Sequence, residues 1–337
     1  MRPSRIDTAK PLLPAGLPLV DLHLHQERSA RLNQVLAARG HEISVDWRAW
    51  SGRLMALPPG IRRLEALWDS SPTPYERDTP DLTVARFCAL LAESAAAGAV
   101  LAEVRVGNET VRRPELGDLF REAERQVRVR HPHFRAALVG TLKLWQDASD
   151  VEAAFAACIR HGLGGVDFLY LPYDADADWT TAYGLADRAA AAGLGVTAHA
   201  GEFSPNNIAA ALRLAGLCRL GHAVHAVAEP RLLDLLLASG AAVECCLTSN
   251  ILLGAAPSLA EHPIRLLWEA GVPVVLGTDN PLQFATTIAD EYSLAASLGL
   301  VAEDLVSISR TAVERSFAPT ALKAELLARP PLSVARR

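Results

Sequence analysis

Short apolar, β-branched segments alternate with Ala- and Leu-rich segments of helical periodicity along most of this chain of 337 residues. The apolar segments predict eight strands, over residues 17–25, 99–106, 135–144, 164–171, 194–200, 218–224, 241–248 and 272–278. The segments between them predict helices, over residues 81–97, 115–130, 148–161, 178–192, 205–215, 229–239 and 259–270. This alternation indicates an α/β protein with a parallel sheet, and eight units favour a (β/α)8 TIM barrel. A doubly wound open sheet is the competing architecture, but no G-x-G-x-x-G motif follows the first strand.

One connection breaks this rhythm. Residues 26–80 are far longer than an ordinary strand-to-helix loop. Leu64, Leu67 and Trp68 stand at helical spacing and predict one apolar helix face in this stretch. Because an insertion after the first strand would lie over the mouth of the barrel, we predict a helical lid. A plain surface insertion is equally consistent with the pattern.

The composition narrows the class of partner. Lys and Arg (33) do not outnumber Asp and Glu (38), and the net charge of -5 disfavours a protein that binds nucleic acid through phosphate contacts. Hydrophobic residues make up 50% of the chain, which is ample for a large core. The five cysteines lie mostly in apolar stretches and favour buried thiols in a reducing compartment. We expect a cytoplasmic protein without a membrane span that acts on a small molecule. The oligomeric state stays open.

Potential metal ligands stand where the predicted strands end. His23 and His25 are two residues apart in a strand, so both side chains face the same side. His199 ends the fifth strand and Asp279 follows the eighth. Active sites of this fold lie at the carboxyl ends of the strands. Three histidines and one carboxylate suit a single zinc or similar divalent ion with one position left for water, whose pKa falls from about 15.7 toward about 7.

Three polar residues next to these positions could carry further chemistry. Glu202 lies three residues after His199 and could move protons between attacking water and substrate. His222 falls in the sixth strand and could orient hydroxide, or stabilise the charge that develops as hydroxide adds to the substrate. Asn280 follows Asp279 and offers an amide donor and acceptor to a bound ring.

At these residues the sequence resembles the adenosine deaminase family of metal-dependent amidohydrolases. The matching segments are His23-Leu-His25, His199-Ala-Gly-Glu202, Arg219-Leu-Gly-His222-Ala-Val-His225, Cys246-Leu-Thr-Ser-Asn250 and Thr278-Asp279-Asn280. Their order and approximate spacing agree over about residues 17–315. The resemblance implies a zinc-bearing barrel, here a single domain over residues 1–337, that hydrolyses an aromatic amine and releases ammonia. It also implies metal binding by His23, His25, His199 and Asp279, proton transfer by Glu202, and hydroxide orientation by His222.

The chain departs from the family pattern in its substrate-binding segments. Where the family usually continues Leu-Asp-Gly after the first histidine pair, this chain has Gln26-Glu27-Arg28, so an acid persists at Glu27 but a glycine becomes Arg28. After the fourth strand the family glycine whose amide meets the purine is replaced by Tyr170. The larger side chains of Arg28 and Tyr170 predict a smaller or reshaped pocket where the family binds ribose. The guanidinium of Arg28 favours a ligand with a carboxylate or phosphate. An outward-facing Arg28 is the alternative.

Three functions follow from these patterns. The first is a metal-dependent hydrolytic deaminase of an amino-purine, adenosine or a related nucleoside or base. The second is a deaminase or hydrolase of a non-nucleoside and anionic amino-heterocycle. The third is a catalytically silent binding protein on the same barrel, against which the intact Glu202 and His222 argue.

Overall fold

The computed structural model describes residues 13–26, 47–69, 79–170 and 175–333. Eight parallel strands form one sheet in chain order. The strands are β1 (Leu19–His25), β2 (Ala99–Gly107), β3 (Arg135–Lys143), β4 (Gly165–Leu169), β5 (Gly195–Ala200), β6 (Leu217–His222), β7 (Ala242–Cys245) and β8 (Val274–Leu276). Beyond β8, Asp279 pairs with Leu24 of β1, and the His25 amide donates to the Asp279 carbonyl at 2.7 Å. The sheet is thus a nearly closed barrel, and the predicted TIM barrel is confirmed.

Helices surround this barrel. Those in the described residues are α1 (Trp47–Met55), α2 (Ile61–Asp69), α3 (Pro80–Ala96), α4 (Asn108–Val111), α5 (Leu116–Arg128), α6 (Ala148–His161), α7 (Thr180–Ala191), α8 (Ile208–Ala211), α9 (Pro230–Ser239), α10 (Leu247–Leu253), α11 (Ile264–Glu269), α12 (Pro281–Phe284), α13 (Ile288–Ser297), α14 (Ala302–Arg315) and α15 (Thr320–Leu327). Among these described helices, none is both long and apolar enough to cross a bilayer.

Two predicted elements differ from the structure. The predicted strand over residues 241–248 ends at Cys245, and α10 begins at Leu247. A buried strand leads directly into a buried helix here, and a continuous apolar run cannot distinguish the two. The helix predicted over residues 205–215 is reduced to the single turn α8. Elsewhere the predicted strand and helix positions agree with the structure to within a few residues.

The strands have two chemically different faces. Val20 and Leu22 of β1 pack outward against α14 and α15 in an apolar cluster. Asp21 and His23, at the alternate positions, are buried on the inner face. A larger apolar cluster fills the space between the rest of the barrel and its helices. Polar side chains are therefore concentrated inside the barrel, beneath the ends of the strands.

The described part of the insertion after β1 packs onto this same end of the barrel. Leu54 of α1 and Leu64 and Leu67 of α2 are buried in a cluster with three residues at this end of the barrel: Leu169, which ends β4, Leu253 of α10 and Phe284 of α12. The Gly60 amide donates to the Leu253 carbonyl at 2.7 Å. The predicted apolar helix face is thus buried at Leu64 and Leu67. A lid movement of this segment stays a prediction.

Candidate metal centre and active site

The barrel brings the four potential metal ligands together. The Nε2 atom of His25 lies 3.2 Å from Nε2 of His23 and 3.3 Å from Nε2 of His199. It also lies 3.6 Å from Oδ1 of Asp279. His23, His199 and Asp279 are buried, and His25 is partly exposed. Residues separated by more than 250 positions along the chain therefore meet because parallel strands end at one face of the barrel.

The spacing of these atoms fits a tetrahedral metal ion. With metal–nitrogen bonds of about 2.0–2.1 Å, neighbouring nitrogen ligands of a tetrahedral site lie about 3.3–3.4 Å apart. The two distances from the His25 Nε2 atom, 3.2 and 3.3 Å, are close to that edge length. The donor set of three imidazoles and one carboxylate is also one that zinc accepts.

Carboxylates on other strands determine which nitrogen of two of these histidines faces the centre. His23 Nδ1 lies 2.7 Å from Oε2 of Glu244 on β7, and His199 Nδ1 lies 2.9 Å from Oδ1 of Asp167 on β4. A carboxylate accepts hydrogen bonds, so each Nδ1 carries the proton and each Nε2 presents a lone pair. Burial lowers the pKa of His23 well below its usual value, and the neutral form is the one that binds a metal.

Two buried arginines hold these carboxylates in place. Arg105 of β2 donates to Oδ2 of Asp167 at 3.2 Å and to Oε2 of Glu244 at 2.6 Å. Arg219 of β6 donates to Oε1 of Glu244 at 2.6 Å and to Glu103 at 2.6 Å. Burial opposes ionisation of Glu244, but Arg105 and Arg219 beside it hold its pKa below the usual value.

These charged side chains were not predicted from the sequence to have a role in the site. Their signal is nevertheless present, because Glu103, Arg105 and Glu244 interrupt otherwise apolar strands. All are fully buried, and a buried charge requires a partner. The interior of this barrel is therefore a network of ion pairs that orients the histidines above it.

Asp279 and His222 both have strained backbone conformations. Asp279 has a φ angle of 59° and His222 one of 63°, both in the left-handed region that residues other than glycine seldom adopt. Ser249 donates to Oδ2 of Asp279 at 2.5 Å, and Asn280 donates to Oδ1 at 2.6 Å. Such strain costs about 1–3 kcal/mol for each residue and is concentrated at functional sites.

Small residues make room for His23. A Cβ atom on Gly277 would lie 2.4 Å from Cβ of His23, and one on Gly221 would lie 3.1 Å from its imidazole Cε1. The glycine in the Gly221-His222 pair thus lies directly against a potential ligand. This close approach explains the glycine near the carboxyl end of β6 and the glycine directly after β8.

Glu202 is buried beside the potential ligands with one oxygen unpaired. Its Oε2 lies 3.6 Å from Nε2 of His222, while its Oε1 has no hydrogen-bond partner among the described residues. Burial, together with the negative charge of Asp279, raises the pKa of Glu202 well above its usual value. An unpaired buried polar atom is costly, and at a functional site it indicates a place for a ligand. Glu202, His222 and Asp279 have potential ligating atoms within 4.8 Å of one another.

The predicted substrate-binding residues have different outcomes. Asn280 is buried beside Asp279, as described above. Glu27 and Arg28 lie outside the described residues. The substrate-binding role of Tyr170 stays a prediction. Its hydroxyl donates to the carbonyl of Asp178 at 2.5 Å and its ring packs against Trp179, with 4.8 Å between ring centroids.

Tyr170 directly follows β4 and belongs to the outer apolar cluster, as do Val166 and Phe168 at the alternate positions, whereas Asp167 faces inward. The placement argues against bulk at Tyr170 narrowing the cavity. Leu169, on the same side as Asp167, packs instead beneath the insertion.

Comparison with known proteins agrees with this geometry. The sequence model of the adenosine deaminase family matches residues 151–329. An adenine deaminase of Agrobacterium fabrum is 41% identical over 155 residues, which cover 45% of this chain and 47% of that protein. An adenosine deaminase of Lacticaseibacillus casei is 39% identical over 136 residues, which cover 40% of each. The matched segments thus span less than half the length of these two curated relatives.

A solved structure shares the fold along nearly the whole chain. A zinc-bound amidohydrolase from Burkholderia ambifaria superposes with a TM-score of 0.76 at 23% identity, covering 93% of this chain and 89% of that chain. The likeness at this level of identity concerns the barrel alone. The family match over more than half of the residues goes further, and on that ground this chain belongs to the adenosine deaminase family.

Proposed function

We propose that this protein is a metal-dependent aminohydrolase that converts an amino-purine to its oxo product and ammonia. The observation that carries the proposal is the buried Glu202 carboxyl, whose Oε1 has no hydrogen-bond partner among the described residues. This carboxyl lies beside His222 and Asp279, next to the three converging imidazoles. Family membership supports the reaction type. Free adenine is the first substrate to test, since the Agrobacterium fabrum relative is an adenine deaminase, and adenosine is the second.

The proposed cofactor is one zinc or similar divalent ion. His23, His25, His199 and Asp279 would hold it, and the spacing of their ligating atoms fits such an ion. When bound, the ion supplies hydroxide from water at neutral pH. Burial beneath the strand ends keeps bulk water away and strengthens the electrostatic interactions of every group there.

Glu202 is the proposed proton carrier. In the overall reaction, oxygen from water bonds to the ring carbon that bears the amino group, the carbon–nitrogen bond breaks, and ammonia leaves. Ring addition needs a proton on the neighbouring ring nitrogen, and departure of the amine needs a proton on its nitrogen. A single carboxyl group beside the attacked carbon can deliver the first and, after accepting a proton from the attacking water, the second.

Asn280 and Arg28 are the proposed determinants of substrate binding. Asn280 donates one N–H to Asp279, so its second N–H and its carbonyl oxygen are the groups that it can offer to a ring nitrogen or a ring N–H. Arg28 introduces a cation where the family has glycine. A cation at that position favours a phosphate or carboxylate on the substrate, with Glu27 as the acidic residue that meets a hydroxyl.

The first experiment is an ammonia-release assay on the zinc-loaded protein with adenine, adenosine and adenylate. We expect Glu202→Gln to lower turnover by about 10²–10⁴-fold while zinc content stays unchanged. Glu303→Gln makes the same chemical change at an exposed position in the first turn of α14 and serves as the matched control. Absence of ammonia release from all three purines, with binding retained, would instead favour a silent binding protein. Near-normal turnover by Glu202→Gln would assign the proton transfer to another residue.

The second experiment tests substrate choice with Arg28→Gly. If Arg28 faces the substrate, the variant should lose activity on adenylate relative to adenosine. If Arg28 faces outward, the ratio of the two kcat/KM values should stay the same. Efficient turnover of adenosine by both proteins would contradict the preference for an acidic substrate.

A further inference from the structure

His222 is linked to the main chain through two buried side chains. The amide of Ile264 lies 3.1 Å from Nδ1 of His262, whose Nε2 lies 3.1 Å from Oδ1 of Asn250. Nδ2 of Asn250 in turn lies 3.0 Å from Nδ1 of His222. His262, Asn250 and His222 are all buried, so water does not compete for these contacts.

The backbone amide of Ile264 sets the direction of every hydrogen bond in this series. A backbone amide can only donate, so Nδ1 of His262 accepts and the proton of this neutral ring is on Nε2. Burial lowers the pKa of His262 to about 3, which agrees with a neutral ring. Nε2 therefore donates to Oδ1 of Asn250. The opposite amide orientation would place two donors face to face.

The amide nitrogen of Asn250 must then donate to His222. Nδ1 of His222 accepts this bond, and the remaining ring proton is on Nε2. Nε2 is the atom that faces the site, 3.6 Å from Oε2 of Glu202. His222 thus presents an N–H group to the cavity.

The neighbouring histidines have the opposite arrangement. Glu244 and Asp167 accept from Nδ1 of His23 and His199, whose Nε2 atoms present lone pairs. The ring centroids of His222 and His23 are only 4.8 Å apart. The partner of Nδ1 therefore distinguishes these two adjacent imidazoles. The Glu244 carboxylate makes His23 a potential metal ligand, and the Asn250 amide makes His222 a hydrogen-bond donor.

We propose that Asn250 and His262 are positioning residues that hold His222 in its Nε2–H form, so that it donates a hydrogen bond in the site and does not act as a metal ligand or a general base. Its proton then faces the oxygen that attacks the ring and the negative charge that develops there. This kinetic consequence rests on the proposed function, whereas the tautomer itself can be measured without any substrate.

The direct test is the ¹⁵N spectrum of histidine-labelled, zinc-loaded protein, in which long-range couplings distinguish the protonated nitrogen of each neutral ring. Single variants, His222→Gln and His262→Gln, assign the two signals. We expect protonated Nε2 in both rings of the wild type. A proton on Nδ1 of His222 would overturn the proposal, whether or not any amino-purine is a substrate.

Asn250→Asp tests the cause. A carboxylate only accepts, so His222 should move its proton to Nδ1 or become doubly protonated. Loss of a donor of this kind costs about 10²–10³-fold in kcat, and KM should change little because the interaction strengthens in the transition state. An unchanged His222 signal in a folded Asn250→Asp protein would overturn the proposal, even if activity falls.

A second pair of variants covers the case in which Asn250→Asp does not fold. His262→Gln keeps an N–H donor toward Asn250, whereas His262→Leu removes it. We expect the glutamine variant to retain the wild-type His222 signal and most of the kcat, and the leucine variant to lose both. Equal behaviour of the two variants would show that His262 fills space without determining the tautomer.

Discussion

Replacing Asp167 with asparagine should weaken zinc binding, although Asp167 is not one of the four proposed ligands. One carboxylate oxygen of Asp167 accepts from His199 at 2.9 Å, and the other accepts from Arg105 at 3.2 Å and from Thr141 at 3.1 Å. Asparagine has only one acceptor oxygen. The charged Arg105 should take it, which leaves the amide nitrogen facing Nδ1 of His199. His199 would then carry its proton on Nε2 and lose the lone pair that faces the centre.

Asp167→Asn should lower both the zinc affinity and the stability of the protein, because Asp167 is buried against His199 and Arg105. Loss of the partner that orients a metal-binding histidine costs about 10–100-fold in metal affinity, which is about 1.4–2.7 kcal/mol. Removing one partner of a buried ion pair destabilises a protein by about 3–5 kcal/mol. Arg105 keeps Glu244 at 2.6 Å, so we expect the lower end, about 3 kcal/mol.

Competition with a colorimetric zinc chelator measures the affinity, and urea unfolding of the metal-free protein measures the stability separately. Thr141→Val is the matched control, because it removes the hydrogen bond from one uncharged donor to Asp167 and leaves the contact with His199 intact. A zinc Kd of the Asp167→Asn protein within about threefold of the wild type would refute the reasoning, since the orientation of His199 would then not depend on Asp167.

Two further predictions concern stability. Burial raises the pKa of Glu291 to about 7, so the native protein keeps a proton that the unfolded chain has released, and stability falls as pH rises from about 4.5 to 7 by up to about 3 kcal/mol. Glu291→Gln should flatten this slope in urea unfolding at a series of pH values, and an unchanged slope would contradict the assignment. Gly277→Ala should destabilise the protein by about 1–3 kcal/mol and lower zinc content, because the new Cβ would lie 2.4 Å from Cβ of His23. Gly184→Ala, on the exposed side of α7 with no atom within 4 Å of the new Cβ, should instead raise Tm slightly; equal melting temperatures for the two variants would contradict the steric argument.

The sequence alone was sufficient to predict the barrel and the meeting of its histidines. Apolar segments of strand and helix periodicity alternate along the chain, and that pattern depends only on which face of each element is buried. Once the strands are parallel, their carboxyl ends must converge. His23, His25 and His199 could therefore be placed together from their positions at strand ends, and they lie together in the structure.

Local periodicity was less informative where buried elements follow one another directly. The seventh strand was predicted to extend to residue 248, but β7 ends at Cys245 and Asn250 lies on α10, because residues of a buried helix and a buried strand are equally apolar. Tyr170 was predicted to face the substrate. Tyr170 directly follows β4 and continues the outward-facing alternate positions of this strand. Only the contact of Asp167 with His199 reveals which alternate positions face the cavity.

Only the tertiary structure decided what each histidine can do. The tautomer of an imidazole depends on the group that contacts its other nitrogen. For His23 that group is Glu244, 221 residues away, and for His222 it is Asn250, whose own orientation depends on His262. The sequence shows the order of these residues along the chain, but not the height and angle at which side chains from different elements meet. That geometry comes from the packing of the whole barrel.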